Sequence, residues 1–125
     1  MAKKILIIDD EPDVIDTLAF MLKARNFEVI SAPDGLAGLS RVKADKPDLV
    51  LLDIMMPGMD GYEVCSKIKR DNATKNVPVI MLTARGEGEA VTKAHKSGAD
   101  DYIVKPFNLP TLLARLNKFI KQPKR

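Results

Sequence analysis

The chain has 125 residues, of which 46% are hydrophobic and 30% charged, and its formal net charge is +3. This describes one folded domain, since domains commonly run to about 100–200 residues and disordered or collagen-like chains are richer in proline and glycine. One cysteine excludes an internal disulfide and a multi-cysteine zinc site, and the presence of one histidine agrees with this. No apolar stretch approaches the roughly 20 residues of a membrane span, which excludes a transmembrane protein. We therefore expect a cytoplasmic location.

Five short apolar runs predict β-strands. Four are nearly continuous, as expected of strands buried on both faces, whereas a weaker run, Phe27–Ile30, is interrupted by Glu28. The four continuous runs are Ile5–Ile8, Leu49–Leu52, Val77–Leu82 and Tyr102–Val104.

Apolar residues at helical spacing follow each run and predict five helices. Pro12 suits a first helical turn, Asp34 suits an N-cap, and Asn26 and Gly98 suit helix ends. The five apolar faces are Val14, Leu18, Met21 and Leu22; Leu36, Leu39 and Val42; Val64, Cys65 and Ile68; Ala90, Val91 and Ala94; and Leu109, Leu112, Leu113, Leu116, Phe119 and Ile120.

Alternating strands and helices predict an α/β fold with a parallel sheet and helices on both faces. The first, third and fourth strands are the most continuously apolar, so we place them in the centre, and the second and fifth at the edges. The sheet order is then 2-1-3-4-5, the flavodoxin-like doubly wound arrangement, in which ligands bind at the carboxyl ends of the strands where the winding reverses.

Polar residues stand directly after four of the five strands. Asp9 and Asp10 follow the first, Asp53 the third, Thr83 the fourth and Lys105 the fifth. In a parallel sheet these ends lie along one edge, so the order predicts three carboxylates, a hydroxyl and an ammonium in one place. An ordinary capping loop explains each residue singly, but not their joint placement.

Three crowded carboxylates repel one another, and a divalent cation relieves the repulsion. Hard oxygen ligands favour Mg²⁺, which commonly binds one or two carboxylates together with a phosphate oxygen. A metal, the Lys105 ammonium and the Thr83 hydroxyl around a carboxylate would form a phosphoryl-binding site. Asp53 is the predicted nucleophile, because carboxylates form aspartyl-phosphate intermediates.

The sequence resembles a response-regulator receiver domain of two-component signalling, over essentially its whole length. Four motifs in order carry the resemblance, and the intervals from Asp53 to Thr83 and from Thr83 to Lys105 agree with that family. The motifs are Ile5-Leu6-Ile7-Ile8-Asp9-Asp10-Glu11-Pro12, Pro47-Asp48-Leu49-Val50-Leu51-Leu52-Asp53-Ile54-Met55-Met56-Pro57-Gly58-Met59-Asp60-Gly61, Pro78-Val79-Ile80-Met81-Leu82-Thr83-Ala84 and Gly98-Ala99-Asp100-Asp101-Tyr102-Ile103-Val104-Lys105-Pro106-Phe107.

The resemblance implies a role for each matching position. Asp53 would accept a phosphoryl group from a phosphohistidine. Asp10, Asp53 and the backbone carbonyl of Met55 would ligate Mg²⁺ directly, and Asp9 would act chiefly through a water. Lys105 would pair with a phosphoryl oxygen. The chain would be a switch that catalyses its own phosphorylation and dephosphorylation, and not a conventional enzyme.

The resemblance also implies how the switch works. Thr83 would move toward the phosphoryl group while Tyr102 turns inward, and the Lys105–Pro106 peptide would be cis. The two states would differ in population. We expect Met55 and Arg85, which flank the path of the hydrolytic water, to prolong the phosphorylated state.

The implied partners are a sensor histidine kinase or a histidine phosphotransfer protein upstream, and an unknown downstream protein or output domain. Docking upstream would use the first helix, with Ile15 as an exposed contact, and the loop Pro106-Phe107. The signal would leave through the face of the fourth helix, fifth strand and fifth helix, by partner binding or by a phosphorylation-dependent homodimer.

We assign residues 1–121 to the receiver domain and 122–125 to a basic tail or the start of a linker. Residues 1–60 carry 7 basic and 11 acidic side chains, a net charge of −4, and residues 61–125 carry 13 and 6, a net charge of +7. No aromatic residues interleave with the basic ones, as stacking on nucleic acid would need, so we expect no direct nucleic-acid binding and no membrane partner.

Three other functions stay open on the sequence. A haloacid-dehalogenase-type phosphohydrolase would place Asp-x-Asp after its first strand, where this chain has adjacent aspartates. A flavodoxin-like cofactor protein would need a hydroxyl- or glycine-rich phosphate loop in place of Asp9-Asp10-Glu11. The third, an interaction module that is never phosphorylated, would not explain why the acids, Thr83 and Lys105 occur together.

Overall fold

The protein is built on one parallel β-sheet with helices on both faces. The computed structural model describes residues 2–84 and 88–120. Within these residues the strands are β1 Lys4–Ile8, β2 Glu28–Ala32, β3 Leu49–Asp53, β4 Val79–Thr83 and β5 Asp101–Val104. The helices are α1 Pro12–Lys23, α2 Gly35–Asp45, α3 Gly61–Arg70, α4 Gly88–Lys96 and α5 Leu109–Leu116.

The strand order is β2-β1-β3-β4-β5, with every neighbouring pair parallel, which confirms the predicted fold class. β3 and β4 are buried along their whole length, and β1 is buried except at Lys4. The edge strands β2 and β5 are only partly buried. Continuous apolar runs therefore identified the central strands correctly, because a strand covered by helices on both faces has no solvent-facing side.

Alternate residues of each central strand enter different layers of the core. On one face Leu6, Ile8, Val50 and Leu52 pack with the buried side of α3, including Val64. The residues between them pack on the opposite face against α1 and α5; this layer contains Ile5, Ile7, Leu49, Leu51, Leu18, Leu22, Leu112 and Leu116. The sheet is therefore closely packed on both faces, and this packing holds the strand ends that carry the side chains of its carboxyl edge.

Local signals determine several helix ends as predicted. Pro12 opens α1, and the Asp34 carboxylate accepts a hydrogen bond of 2.8 Å from the amide of Ala37, capping α2. Asn26 and Gly98, predicted to end helices, have φ values of 69° and 94° and lie shortly after α1 and α4. The backbone is left-handed at both positions, a conformation that glycine and asparagine adopt more readily than other residues.

Two details of the sequence prediction were wrong. Leu36 is 70% exposed and does not share the buried face of α2. The helix instead packs closely through two glycines: a β-carbon on Gly38 would lie 2.5 Å from Cδ1 of Ile8 in the sheet, and one on Gly35 would lie 2.7 Å from Cγ2 of Val64 on α3. The bounds of two strands also differ: β2 begins one residue later than Phe27 and continues to Ala32, and β4 begins at Val79, two residues later than Val77, and continues to Thr83. Within the described part of the chain, no helix is both long enough and apolar enough to span a bilayer.

Candidate functional site

The carboxyl ends of four strands bring the predicted polar residues together. Asp9 follows β1, Asp53 ends β3, Thr83 ends β4 and Lys105 follows β5. Asp9 is fully buried, Asp53 and Thr83 are 4% and 6% exposed, and the Lys105 side chain is 22% exposed. The sheet order makes this convergence unavoidable, because β1, β3, β4 and β5 are consecutive neighbours.

Four carboxylates cluster at this edge. Asp9, Asp10, Glu11 and Asp53 each offer one carboxylate oxygen, and these oxygens all lie within 4.8 Å of one another. Asp9 and Asp53 are buried, whereas Asp10 and Glu11 face solvent. The sequence prediction included three of the four and missed Glu11; the unbroken run Asp9-Asp10-Glu11 was the signal for it.

Lys105 is the cation of the site. Its Nζ lies 3.4 Å from Oδ1 of Asp53 and 3.6 Å from Oδ2 of Asp9. The Lys105 amide donates a 2.7 Å hydrogen bond to the carbonyl of Thr83, and the Lys105–Pro106 peptide is cis, as the resemblance implied. One ammonium thus stands between two buried carboxylates that come from different strands.

Backbone amides hold the two buried carboxylates in place. The Glu11 amide donates to Oδ1 of Asp9 at 2.9 Å, and the Met55 amide donates to Oδ1 of Asp53 at 3.3 Å. Oδ2 of Asp9 is buried and accepts no hydrogen bond from the described residues. Because an unsatisfied buried carboxylate oxygen is costly, the site favours a further positive or hydrogen-donating group.

The pKa of Asp53 is raised from 3.8 to about 6, chiefly by burial and then by the nearby charge of Asp9, while Lys105 and the Met55 amide lower it. The local electrostatics are therefore those of an acidic site with too little positive charge.

The acidic residues fit a hard divalent cation. All the donors are oxygens, and the described residues supply neither enough charge to compensate the two buried carboxylates nor a hydrogen bond to Oδ2 of Asp9. These are the properties that Mg²⁺ prefers in a protein site. The cluster could hold one such ion at the mouth of the β1 and β3 ends.

The structure describes three of the four predicted switch and tuning residues, Thr83, Tyr102 and Met55. Tyr102 is partly buried on β5 and packs against the core, and the Arg115 guanidinium carbon lies 5.9 Å from its ring centroid. Arg115 also donates to both carboxylate oxygens of Asp101, at 3.0 and 3.1 Å. The Met55 side chain is 75% exposed beside Asp53. Arg85 and the tail 122–125 lie outside the described residues.

A cleft of about 450 Å³ opens beside Lys105, between α1 and the loop after β5. Its apolar lining includes Val14, Met21 and Phe107. Ile15, predicted to be an exposed contact on α1, is instead partly buried and packs against the core layer that contains Leu18 and Leu22 of the same helix.

Comparisons with known proteins agree with this architecture. Residues 5–117 match the family model of the response regulator receiver domain. Among curated proteins, the chain is 39% identical over 122 residues to the DNA-binding dual master transcriptional regulator RpaA of Synechocystis, which covers 98% of this chain and 51% of that protein. It is 38% identical over 122 residues to the phosphate regulon transcriptional regulatory protein PhoB of Escherichia coli, covering 98% and 53%. The chain spans about half the length of these curated relatives.

Solved structures of full receiver size superpose closely. The chemotaxis protein CheY4 of Vibrio cholerae has a TM-score of 0.91 at 29% identity, covering 96% of this chain and 100% of that one. A two-component response regulator from Clostridium difficile has a TM-score of 0.86 at 32% identity, covering 94% of each chain.

Proposed function

The chain belongs to the family of response regulator receiver domains, the signalling switches of two-component systems, and we propose that Asp53 is its phosphoryl acceptor. The observation that carries the proposal is the placement of Asp53, a carboxylate 4% exposed at the end of a central strand, beside the ammonium of Lys105, which Asp9 also approaches. A buried carboxylate with one nearby cation and a deficit of positive charge is suited to bind a phosphoryl group together with a metal ion.

The reaction transfers a phosphoryl group from a phosphohistidine of a kinase or phosphotransfer protein. A carboxylate oxygen of Asp53 attacks phosphorus, an O–P bond forms, and the P–N bond breaks. The electron pair of that bond goes to the imidazole nitrogen. The imidazole leaves as the neutral ring, taking a proton from solvent if it carries none. Lys105 offsets the charge on the transferred group, and the Met55 amide holds the attacking carboxylate in orientation.

Mg²⁺ would be held by Asp10, Asp53 and the Met55 carbonyl, with Asp9 acting through a water. When bound, the ion would supply positive charge against the phosphoryl oxygens. The protein's own contribution is the fixed carboxylate cluster, in which burial of Asp9 excludes bulk water from one side.

The phosphorylated state would be read out at the other end of the site. Thr83 and Tyr102 lie on adjacent strands, β4 and β5. A hydroxyl drawn toward the phosphoryl group would free space on the inner side of β5, and Tyr102 would fill it. The face of α4, β5 and α5 would thereby change its fit to a partner or to a second copy of the chain.

Dephosphorylation would be set by the two positions that flank the hydrolytic water. Met55 presents an apolar, exposed side chain next to Asp53, and Arg85 would cover the phosphoryl group. Met55→Asn and Arg85→Ala should each shorten the lifetime of the aspartyl phosphate, measured by loss of label; unchanged lifetimes in both would remove this part of the proposal.

The upstream partner would dock at the cleft between α1 and the loop after β5, since it adjoins Lys105 and its lining is largely apolar. The downstream partner or output domain would be cytoplasmic, like this receiver domain of residues 1–121, and residues 122–125 would begin a tail or linker. We assign no direct contact with nucleic acid to this domain.

The test is phosphorylation by a small donor. The purified chain is incubated with acetyl phosphate and MgCl₂, and intact mass is measured. We expect the mass to increase by one phosphoryl group, and we expect no increase when EDTA replaces MgCl₂ or when the chain carries Asp53→Asn. Asp60→Asn is the control, because it removes the same charge nearby while asparagine can still cap α3. Modification of Asp53→Asn at the wild-type level would overturn the proposal.

A further inference from the structure

Glu11 occupies the N-cap position of α1 but does not cap it. Its backbone is extended, with φ −100° and ψ 111°, and its side chain makes no hydrogen bond to the helix. The other N-caps that the structure describes, Asp34, Asp60 and Asn108, each accept a bond from an amide three residues on. Glutamate is a poor N-cap compared with aspartate, asparagine or serine. The Glu11 carboxylate therefore gives the helix only the general benefit of a negative charge at its N-terminus, and no cap hydrogen bond.

The Glu11 carboxylate belongs instead to the acidic cluster. One of its oxygens lies within 4.8 Å of ligand oxygens of Asp9, Asp10 and Asp53. A second, independent feature points to a ligand at this place: Oδ2 of Asp9, on a fully buried residue, accepts no hydrogen bond from the described residues. Its nearest described cation is Lys105, at 3.6 Å.

We propose that Glu11 is a further carboxylate of the cation site, and that it raises the affinity for divalent ions and shifts the preference toward ions larger than Mg²⁺. The inference rests on the proposed function, since it assigns a residue to the metal site of the same switch. It goes beyond that function by naming a residue that determines which ion occupies the site before any phosphoryl group arrives.

The selectivity follows from coordination chemistry. Mg²⁺ requires near-octahedral geometry, keeps several waters and takes only one or two carboxylates, so Glu11 would reach it through a bound water. Ca²⁺ takes six to eight oxygens in a flexible arrangement and can accept a further carboxylate directly. Removing the Glu11 charge should therefore weaken both ions, but Ca²⁺ more.

The experiment measures ion binding to the unphosphorylated full chain by titration calorimetry, with MgCl₂ and separately with CaCl₂. Glu11→Gln keeps the size of the side chain and removes its charge. We expect its affinity to fall about threefold for Mg²⁺ and about tenfold or more for Ca²⁺, as the loss of one carboxylate close to a divalent ion implies. Glu11 is exposed, so the variant should fold, which circular dichroism in EDTA verifies.

Asp13→Asn is the matched control, because Asp13 is an exposed acid in the first turn of the same helix and lies outside the cluster. It should change neither affinity by more than about twofold, since exposed charges farther from the ion are screened. Wild-type affinities in Glu11→Gln, equal losses in the two variants, or equal losses for the two ions would each overturn the inference. Phosphorylation of Asp53 by acetyl phosphate would then still support the proposed function.

Discussion

The Nζ of Lys105 lies 3.4 Å from Oδ1 of Asp53, although 52 positions separate the two residues in the chain. The contact exists because β3 and β5 flank β4 in the sheet and both end at its carboxyl edge. It provides one positive charge for a site that contains four carboxylates. Several measurable properties of the protein follow from this imbalance and from the packing that maintains it.

The first prediction concerns the pH dependence of stability. Because the pKa of Asp53 is raised from 3.8 to about 6 in the folded state, the unfolded chain releases its proton first as pH rises. The contribution of Asp53 is therefore fully present below about pH 4 and is lost as pH rises through 6. The loss is on the order of 3 kcal/mol.

Asp53→Asn should remove this dependence. In EDTA, urea unfolding should show the variant increasingly more stable than the wild type between pH 4 and pH 6.5, with a constant difference above that. A difference that is independent of pH would contradict the raised pKa. Asp60→Asn, which changes an exposed carboxylate, should show no such trend.

The second prediction concerns Lys105. Lys105→Met leaves the carboxylates of Asp9 and Asp53 without their ammonium, so the free energy of unfolding at pH 7 in EDTA should fall by about 1–3 kcal/mol. Saturating Mg²⁺ should recover part of the loss, since a divalent ion supplies the missing charge. Lys105→Arg, which retains the charge, should lose less. Equal stability of Lys105→Met and wild type in EDTA would show that the ammonium has no such role.

The third prediction concerns the close packing behind Asp53. A β-carbon on Gly61 would lie 2.5 Å from the carbonyl oxygen of Asp53 and 2.7 Å from Cα of Ile54. Both are backbone atoms and cannot rotate away, so Gly61→Ala should cost about 2–3 kcal/mol in thermal or urea unfolding. It should also slow phosphorylation, because the backbone that carries Asp53 must shift.

Gly58→Asn is the matched control for Gly61→Ala. Gly58 has a φ of +79°, and a β-carbon there would meet no atom within 4 Å. Asparagine tolerates that backbone region, so the cost should stay below about 1 kcal/mol. If the two variants lost equal stability, the contact with the Asp53 backbone would not be the cause.

The fourth prediction concerns Lys69, which ties α3 to the opposite end of the sheet. Its Nζ lies 2.7 Å from Oδ2 of Asp100 and 2.8 Å from the carbonyl of Val77, and its side chain is 17% exposed. Lys69→Met retains the aliphatic stem but leaves Asp100 and that carbonyl without the ammonium. Urea unfolding should show a loss of about 1–3 kcal/mol.

Lys67→Met, at an exposed position of the same helix, should change stability by no more than about 0.5 kcal/mol. Since Lys69 is far along α3 from Asp53, neither variant should alter phosphorylation by acetyl phosphate at a temperature where it is folded. A loss of stability in Lys67→Met equal to that in Lys69→Met would argue for a general charge effect.

Much of the fold was predictable because its signals are local. A continuous apolar run identifies a strand covered on both faces, and Asp34 caps its helix through a bond to an amide three residues away. The apolar face of α2 was less predictable. Leu36 has the correct spacing but is exposed, since the close packing of Gly38 on Ile8 and of Gly35 on Val64 decides which side of the helix faces the core.

Residue type and strand order can both be inferred from the chain, and together they predicted which residues would carry the proposed chemistry and that parallel strands would bring them to one edge. How the adjacent acids differ depends on the folded structure: Asp9 is buried and its Oδ2 accepts no hydrogen bond from the part of the chain described, Asp10 is exposed, and Glu11 joins the cluster. The raised pKa of Asp53 depends on the folded structure as well. Burial and the distances between charges depend on atoms from strands far apart in the sequence, and no local pattern encodes them.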